Sequence, residues 1–106
     1  MENLALTEAV YYILLALNVP MHGYGIMQFA ERMSQGRVRL AAGTLYGALN
    51  TLCEKGWIEE LPMEAGSRRK EYRITDEGRR VLSGEFERLK QLVACGQAIL
   101  GDEDHE

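Results

Sequence analysis

The sequence has few of the residues from which disulfide-bonded folds and metal sites are built. Its 106 residues include two cysteines, Cys53 and Cys95, which form neither a Cys-x-x-Cys pair nor a Cys/His spacing typical of metal ligands. Both lie in stretches with a helical pattern. We therefore expect two reduced structural thiols of a cytoplasmic protein.

Histidine is equally scarce, and this argues against catalysis. His105 lies near the chain end, and His22 precedes a predicted helix, where a structural or capping role is expected. No serine stands in a recognisable Ser/His/Asp pattern, and the sequence has neither a P-loop nor a G-x-G-x-x-G motif after a strand. The sequence thus predicts a protein that is not an enzyme and uses no metal or cofactor.

Long apolar runs are missing as well. The longest covers the nine residues 9–17, whereas a membrane-spanning helix needs about 20. The chain begins Met-Glu-Asn-Leu without a basic segment, so we expect no secretion signal. With 46% hydrophobic and 26% charged residues, the composition is typical of one compact globular domain.

The chain has no excess of positive charge, which at first argues against a polyanionic partner. Its net charge is −4, but four of the 16 acidic residues lie in the last six positions, GDEDHE. Without them 12 acidic residues balance 12 basic ones, so the negative charge belongs to an expected acidic disordered tail at 101–106. The stretch RRKEYR, residues 68–73, is in contrast locally basic.

Hydrophobic periodicity and turn residues predict a mostly α chain with one β-hairpin. The predicted elements are helices at 4–18, 22–34 and 41–55, strands at 57–61 and 71–74, and a last helix from 76 to about 100. Thr7 and Thr75 are good N-caps for the first and last helix, and Gly56 is a good C-terminal residue for the third.

The third predicted helix has an unusual outward face. Leu45, Leu49 and Leu52 form its apolar side. The opposite side carries small or uncharged residues, namely Thr44, Gly47, Asn50 and Thr51. An ordinary solvent-exposed helix face carries Lys and Glu. A face this small and this poor in charge favours close approach of a partner.

Four stretches together resemble the PadR family of transcriptional regulators, in its branch with a short C-terminus. They are LTEAVYYILLAL (6–17), HGYGI (22–26), GTLYGALNTLCEKGWI (43–58) and RRKEYRITDEG (68–78). The resemblance extends over about residues 4–95. It implies an α+β winged helix: a DNA-binding domain at 1–75 with a three-helix helix-turn-helix core and a two-stranded β wing, followed by a C-terminal dimerisation helix at 76–100.

The same resemblance implies a function. Members are dimeric DNA-binding regulators; most repress transcription, and some release DNA when a small molecule binds. One departure stands out, because relatives usually carry Ser-Pro where this chain has Ala41 and Ala42. Serine would cap the helix and proline would set its first turn, so we expect a weakened helix start.

As a recognition helix, the third helix would lie in the major groove of DNA with its N-terminal part near base edges. Gly43 and Gly47 let the sugar-phosphate backbone come close, and Thr44 and Tyr46 offer hydroxyls to phosphates. Asn50 can pair with adenine through two hydrogen bonds. The resemblance points in the same direction for Thr44 and Tyr46.

Further DNA contacts are expected on either side of this helix. The resemblance implies a phosphate contact for Tyr24, although Tyr24 and Tyr46 packing over the edge of the core is the alternative. Arg68, Arg69 and Lys70 lie near the wing tip, where long basic side chains reach backbone or minor groove. Arg37 and Arg39, which flank the recognition helix, are expected to add phosphate contacts.

The last helix predicts a homodimer that binds a palindromic operator. Leu82, Phe86, Leu89, Val93, Gly96 and Leu100 recur at 4-3-4-3-4 spacing, as in a coiled coil. The helix is longer than a small domain needs, so the first helix of each subunit is expected to pack against both last helices. The predicted interface consists of Tyr11, Leu14, Leu82, Phe86, Leu89, Val93 and Leu100.

Two further hypotheses remain open from the sequence. The first is a winged-helix protein-protein interaction module that does not bind operator DNA, which the neutral charge and the weak helix cap favour. The second is a small aromatic effector bound near Tyr11, Tyr12 and Phe86, for which plain core packing of these rings is the alternative.

Overall fold

The computed structural model describes residues 5–63, 65–66 and 68–101. The elements in chain order are α1 (Glu8–Ala16), β1 (Met21–His22), α2 (Gly23–Met33), α3 (Ala42–Glu54), β2 (Ile58–Glu60), β3 (Glu71–Ile74) and α4 (Asp76–Leu100). The predicted α+β winged-helix fold is confirmed. No helix among these residues is long and apolar enough to cross a membrane.

The first three helices enclose the core of the chain. Thr7 caps α1, its hydroxyl oxygen accepting a hydrogen bond from the Val10 N–H at 3.1 Å, so the helix begins at Glu8 and not at the predicted residue 4. The predicted start at residue 4 lies outside the described residues. The largest fully buried side chains are Ile13, Leu14, Leu17, Ile26, Leu45, Leu49, Ile58 and Ile74.

The two predicted wing strands form the hairpin β2-β3, and a third strand, β1, which the sequence analysis did not predict, extends this hairpin to a three-stranded sheet. The strand order is β1-β3-β2, with both pairings antiparallel. In the additional pair Met21 lies opposite Tyr72 and His22 opposite Glu71. Strand β1 could not be predicted from the sequence, because two residues are too few to show the alternation of apolar and polar side chains typical of a strand. In addition, His22 serves as the N-cap of α2.

The last helix combines a buried beginning with an exposed end. The Thr75 hydroxyl oxygen caps α4 by accepting from the Gly78 N–H at 3.0 Å. A Cβ on Gly78 would lie 2.0 Å from the Trp57 carbonyl oxygen, so glycine lets α4 pack directly on the chain before β2. The buried residues of α4 are Gly78, Leu82 and Glu85, and the 15 residues that follow in the helix contain none.

The course of α4 determines which predicted dimer residues are available to a partner. Leu14 has no exposed surface and Leu82 is only 8% exposed, because both pack in the core of their own chain. Their predicted place in a dimer interface is therefore corrected to a place in the core. Tyr11 and Leu89 are partly buried, while Phe86, Val93 and Leu100 are exposed. The predicted acidic tail, apart from Gly101, lies outside the described residues.

Candidate nucleic-acid interface

The outward face of α3 is open, as its residue types suggested. Leu45, Leu49 and Leu52 are buried, so the helix turns the other side to solvent. The exposed residues on that side are Gly43, Thr44, Tyr46, Gly47, Asn50 and Thr51. At the start of α3, Ala41 is the N-cap and contributes no side-chain hydrogen bond. The N–H groups of the first turn are therefore available to an external acceptor.

Two glycines of α3 have no packing reason within the described chain. A Cβ built on Gly43 or Gly47 would meet no atom within 4 Å. Glycine in a helix costs about 1 kcal/mol relative to alanine, so neither position is explained by the stability of the chain. Both glycines lie on the exposed face, where an external surface that approaches closely supplies a reason.

Gly23 shows the opposite case. A Cβ there would lie 2.3 Å from the Tyr46 hydroxyl oxygen, so the first residue of α2 makes room for this ring. Tyr46 therefore packs across the start of α2, yet it remains 42% exposed, and Tyr24 is 61% exposed. The alternative was that both tyrosines only pack over the edge of the core. Tyr46 does so in part, whereas Tyr24 is mostly exposed.

The wing and the helix-turn-helix meet in a cleft of about 550 Å³, here called the wing cleft. It is lined by His22, Gly23, Tyr24, Tyr46, Asn50, Arg68, Arg69, Lys70 and Tyr72. Six of the predicted DNA-binding residues are thus brought together, although residues 24 and 70 are far apart in sequence. Gly43, Thr44 and Gly47 lie on the neighbouring exposed face of α3, and Arg39 lies just before that helix.

The basic side chains around this region are exposed and loosely held. The Lys70 Nζ is 4.0 Å from a Glu60 carboxylate oxygen, and the Arg39 Nε is 3.5 Å from one of Glu31. Arg37 forms an ion pair with Glu8. Exposed pairs of this kind contribute about 0–1 kcal/mol each, so they exchange readily for contacts with phosphates.

Two ionisable side chains near the wing cleft, Tyr72 and Cys53, have raised pKa values and stay neutral at neutral pH. Burial, followed by the nearby Glu60 carboxylate, raises the pKa of Tyr72, which lies on β3 beneath the cleft. The same two causes raise the pKa of Cys53. A thiol with a raised pKa is poorly reactive at neutral pH, which agrees with the structural role expected for Cys53.

Sequence reasoning did not place His22, Gly23 or Tyr72 in the wing cleft. His22 was expected to be structural, and its Nδ1 does accept a hydrogen bond from the Gly25 N–H at 3.2 Å, capping α2. Its other ring nitrogen, Nε2, lies 2.9 Å from Nη1 of Arg69. The strand pairing of β1 with β3 brings these residues together, and no local sequence pattern announces that pairing.

The far part of α4 forms a second exposed surface, here called the α4 stripe. It consists of Phe86, Leu89, Leu92, Val93, Ile99 and Leu100, all exposed except the partly buried Leu89. Large apolar groups that recur along one helix side are unusual on the surface of a monomer. Their arrangement is typical of a helix that packs against another helix.

Among the described residues no group of three or more His, Cys, Asp and Glu side chains is arranged to hold a metal ion. The family model described as the transcriptional regulator PadR-like family matches residues 13–84. None of the curated proteins compared with the chain matches it.

Solved structures of transcriptional regulators have the same fold. A PadR family regulator from Clostridium difficile is 22% identical, with a TM-score of 0.74, covering 89% of this chain and 99% of its own. A PadR family regulator from Eggerthella lenta is 32% identical, with a TM-score of 0.66; the match covers 86% of this chain and 79% of the other. Bacillus subtilis PadR, solved in complex with operator DNA, is 25% identical, with a TM-score of 0.60; the match covers 70% of this chain and 44% of the other.

Proposed function

We propose that this chain, which belongs to the PadR-like family of transcriptional regulators, is a homodimeric repressor that binds a palindromic operator in double-stranded DNA. The single observation that carries the proposal is the wing cleft. Tyr24, Tyr46, Asn50 and the basic residues of the wing line it together, which supports a single surface for DNA. A structure of Bacillus subtilis PadR with operator DNA gives a relative for which such binding is described.

The roles of the residues follow from their positions. The open first turn of α3, with Gly43 and Thr44, receives a phosphate, and Gly47 allows the backbone of the groove to come near. Asn50 reads a base edge deeper in the major groove. Arg68, Arg69 and Lys70 contact the backbone or the minor groove beside the wing, and Arg39 adds a phosphate contact.

The α4 stripe supports the homodimer. Val93 and Leu100 are 59% and 63% exposed, and burying the remaining apolar surface of such side chains favours association. Tyr11 lies on the neighbouring α1, so the interface that we propose combines it with Phe86, Leu89, Val93 and Leu100. A two-fold dimer presents two copies of α3, about 34–36 Å or a multiple apart on a palindromic site.

A second cavity supports release by a small aromatic effector. It has a volume of about 780 Å³ and lies between α1, α3 and α4. Leu6, Val10, Leu52, Trp57 and Val81 contribute its apolar walls. A molecule bound there would contact α3 at Ala48 and Leu52 and could shift this helix. The hypothesis placed the effector near Tyr11, Tyr12 and Phe86; none of these three is among the described residues that line this cavity.

Trp57 is the only tryptophan of the chain, so its fluorescence reports on this cavity directly. The protein is titrated with planar phenolic and polycyclic aromatic compounds. A compound that acts as effector should quench the Trp57 fluorescence and also lower the affinity for DNA. If no compound changes both signals, the effector part of the proposal lacks its ligand and is abandoned, while the DNA-binding part stands.

DNA binding is tested by gel shift and fluorescence anisotropy on duplexes selected from a random pool at low ionic strength. Arg68→Ala/Arg69→Ala should weaken binding to every duplex, because phosphate contacts do not depend on sequence. It should also flatten the slope of log K against log salt by about two. The matched control is Arg79→Ala/Arg80→Ala, which removes the same charge from the exposed start of α4 and should leave that slope nearly unchanged.

The alternative of a protein-protein interaction module makes a different prediction. The wild-type chain would then ignore every duplex even at low ionic strength, and the two double variants would behave alike. Absence of binding by the wild-type chain would reject the DNA-binding proposal. Binding by the wild type with no difference between the two double variants would reject only the assignment of the wing arginines to DNA contacts.

A further inference from the structure

We propose that the two copies of α4 in the dimer run antiparallel about a two-fold axis at the level of Gln91, so that Phe86 of each subunit fills the gap beside Gly96 of the partner subunit. The inference rests on the proposed homodimer and adds to it a direction, a register and a pair of contacting residues. It follows from the order of large and small side chains along the helix.

The far part of α4 extends out of the domain. The radius of gyration is 16.2 Å, whereas a compact domain of about 100 residues has a value of about 13 Å. The longest dimension is 61 Å, and the other two are 33 and 21 Å. Ile99 and Leu100, near the end of this part, are exposed, and residues 91–100 include no charged side chain. A helix segment of this composition requires another chain to cover its apolar groups.

The heptad residues of α4 are placed symmetrically about Gln91. Counted from this residue, the equidistant pairs are Leu89 with Val93, Phe86 with Gly96, and Leu82 with Leu100. Each pair joins a residue at heptad position a to a residue at position d. In two antiparallel helices an a residue faces a d residue, whereas in two parallel helices each position faces its own kind. A two-fold axis at Gln91 therefore brings every pair together twice, as an isologous interface requires.

Gly96 leaves a gap among the large exposed side chains of α4. A Cβ on Gly96 would meet no atom of the described chain within 4 Å, although glycine weakens a helix interior relative to alanine. The residues three and four positions away surround this gap, namely Leu92, Val93, Ile99 and Leu100. A ring of this kind forms a deep hole for one large side chain of a facing helix.

Phe86 has the size and the position to fill this hole. It is the one aromatic residue of α4 and is half exposed. Antiparallel pairing sets Phe86 against Gly96 of the partner subunit, so a large side chain meets a small one in both symmetric contacts. Parallel pairing would set each of the two residues against its own copy, which crowds one layer and leaves a void in the other. Crowding and voids both cost stability, so the sizes favour the antiparallel direction.

The charges of α4 are compatible with this direction. All charged residues of the helix lie between Asp76 and Lys90, so antiparallel pairing lays the charged part of each helix beside the uncharged part of the other. Lys90 is the charged residue nearest to the axis. Its Nζ lies 3.1 Å from a carboxylate oxygen of Glu87, and this ion pair reduces the repulsion between the two copies of Lys90.

Disulfide formation between introduced cysteines tests the direction and the register. In a Cys53→Ala/Cys95→Ala background, one protein carries Phe86→Cys and a second, with a size tag, carries Gly96→Cys. When the two are co-expressed and oxidised, the mixed dimer should cross-link. Each protein alone should stay unlinked, because its two cysteines lie about 15 Å apart along the helices, whereas a disulfide spans about 6 Å between Cα atoms.

The matched control uses Ala98→Cys in place of Gly96→Cys. Residue 98 lies on the other side of α4, so its cysteine should not cross-link with that of Phe86→Cys. Cross-linking of Phe86→Cys with its own copy would show parallel helices, and absence of every cross-link in a dimeric protein would show another register. Either result would overturn the inference and leave the homodimer in place.

A second test changes the sizes of the two residues in the otherwise unchanged chain. Gly96→Phe should raise the dimer dissociation constant about tenfold or more, because the added ring meets Phe86 of the partner subunit twice. Phe86→Ala/Gly96→Phe should return the constant to within about threefold of wild type. In a parallel dimer Gly96→Phe would instead fill the void and tighten the association. Sedimentation velocity gives the constants, and circular dichroism checks that each variant keeps its helix content.

These results are separable from failure of the proposed homodimer. In that case the wild-type chain itself sediments as a monomer, and no pair of cysteines cross-links. A dimeric wild type in which Gly96→Phe dissociates no more readily contradicts the antiparallel register alone.

Discussion

Two exposed helix surfaces in this chain differ in almost every property. The outward side of α3 carries small or polar residues, and its two glycines have open space where a Cβ would be. The α4 stripe carries large apolar residues, of which Ile99 is 74% exposed. Both surfaces lack the lysines and glutamates with which an ordinary exposed helix is solvated.

The difference indicates two kinds of partner. The charged and hydrated groove of DNA requires a helix face with small polar side chains. Bulky side chains would keep the helix away from the DNA backbone, and apolar side chains would find no apolar surface to contact there. Another protein helix requires large apolar groups, since their burial provides most of the free energy of association. The difference supports the proposed function, in which α3 binds DNA and the α4 stripe packs against a second copy of the chain.

The largest expected effect comes from placing charge in the α4 stripe. Phe86→Glu/Val93→Glu should raise the dimer dissociation constant by roughly 100-fold or more, because each substitution occurs twice in a symmetric interface and replaces buried apolar area. Sedimentation velocity measures the constant. Gln91→Glu/Ala98→Glu adds the same charge on the opposite side of α4 and should remain dimeric. If both variants dissociate equally, the stripe is not the interface.

On α3 a single methyl group tests the need for a slim face. Gly47→Ala should stabilise the chain by about 1 kcal/mol in thermal unfolding, because alanine has the higher helix propensity and its Cβ has open space. The same variant should bind selected duplexes roughly tenfold more weakly, an effect of the size expected for one lost close contact. A rise in stability together with unchanged DNA affinity would remove the structural reason for glycine at this position.

A buried carboxylate marks where α4 changes from core helix to exposed helix. Glu85 accepts two hydrogen bonds of 2.8 Å from Arg88 and one of 3.4 Å from the Leu6 N–H, and the Arg88 hydrogen bond lowers its pKa below the ordinary 4.5. A lowered folded-state pKa adds stability above pH 4.5, and this stability is lost as the pH falls through the folded-state value.

Chemical unfolding of Glu85→Gln between pH 3 and 7 tests this contribution. The variant should be less stable than wild type at pH 7, and the difference should shrink as the pH falls below about 4.5. Glu87→Gln removes the same charge from an exposed pair with Lys90 and should follow the wild-type curve. A constant difference between Glu85→Gln and wild type at all pH values would contradict the lowered pKa.

The smallest expected effect concerns the start of α3. Ala41 gives no side-chain cap, while Thr75 caps α4, so Ala41→Ser should raise the free energy of unfolding by about 0.5–1 kcal/mol. DNA affinity should stay within about twofold, because serine adds no bulk to the groove face. Thr75→Ala is the reverse experiment on α4 and should lower stability by about 1 kcal/mol. Opposite signs would show that neither cap contributes as inferred.

Much of the fold could be predicted because its causes are local. The leucine spacing of α3 is a property of one segment, and Leu45, Leu49 and Leu52 are buried as predicted. The Thr75 cap is local in the same way. The predictions that failed concern features that are not local. Strand β1 consists of two residues whose extended conformation depends on β3. The burial of Leu14 within its own chain could not be predicted, because every residue of α1 after Glu8 is apolar.

The candidate site divides along the same line. The residue types for DNA contact lie in short segments that can be read directly: the small face of α3 and the basic run from Arg68 to Lys70. Their assembly into one cleft depends on antiparallel pairing between residues 21–22 and 71–72, which brings His22 against Arg69 across 47 positions. Periodicity and capping operate over a few residues, whereas strand pairing and burial depend on segments that meet only when the whole chain is packed.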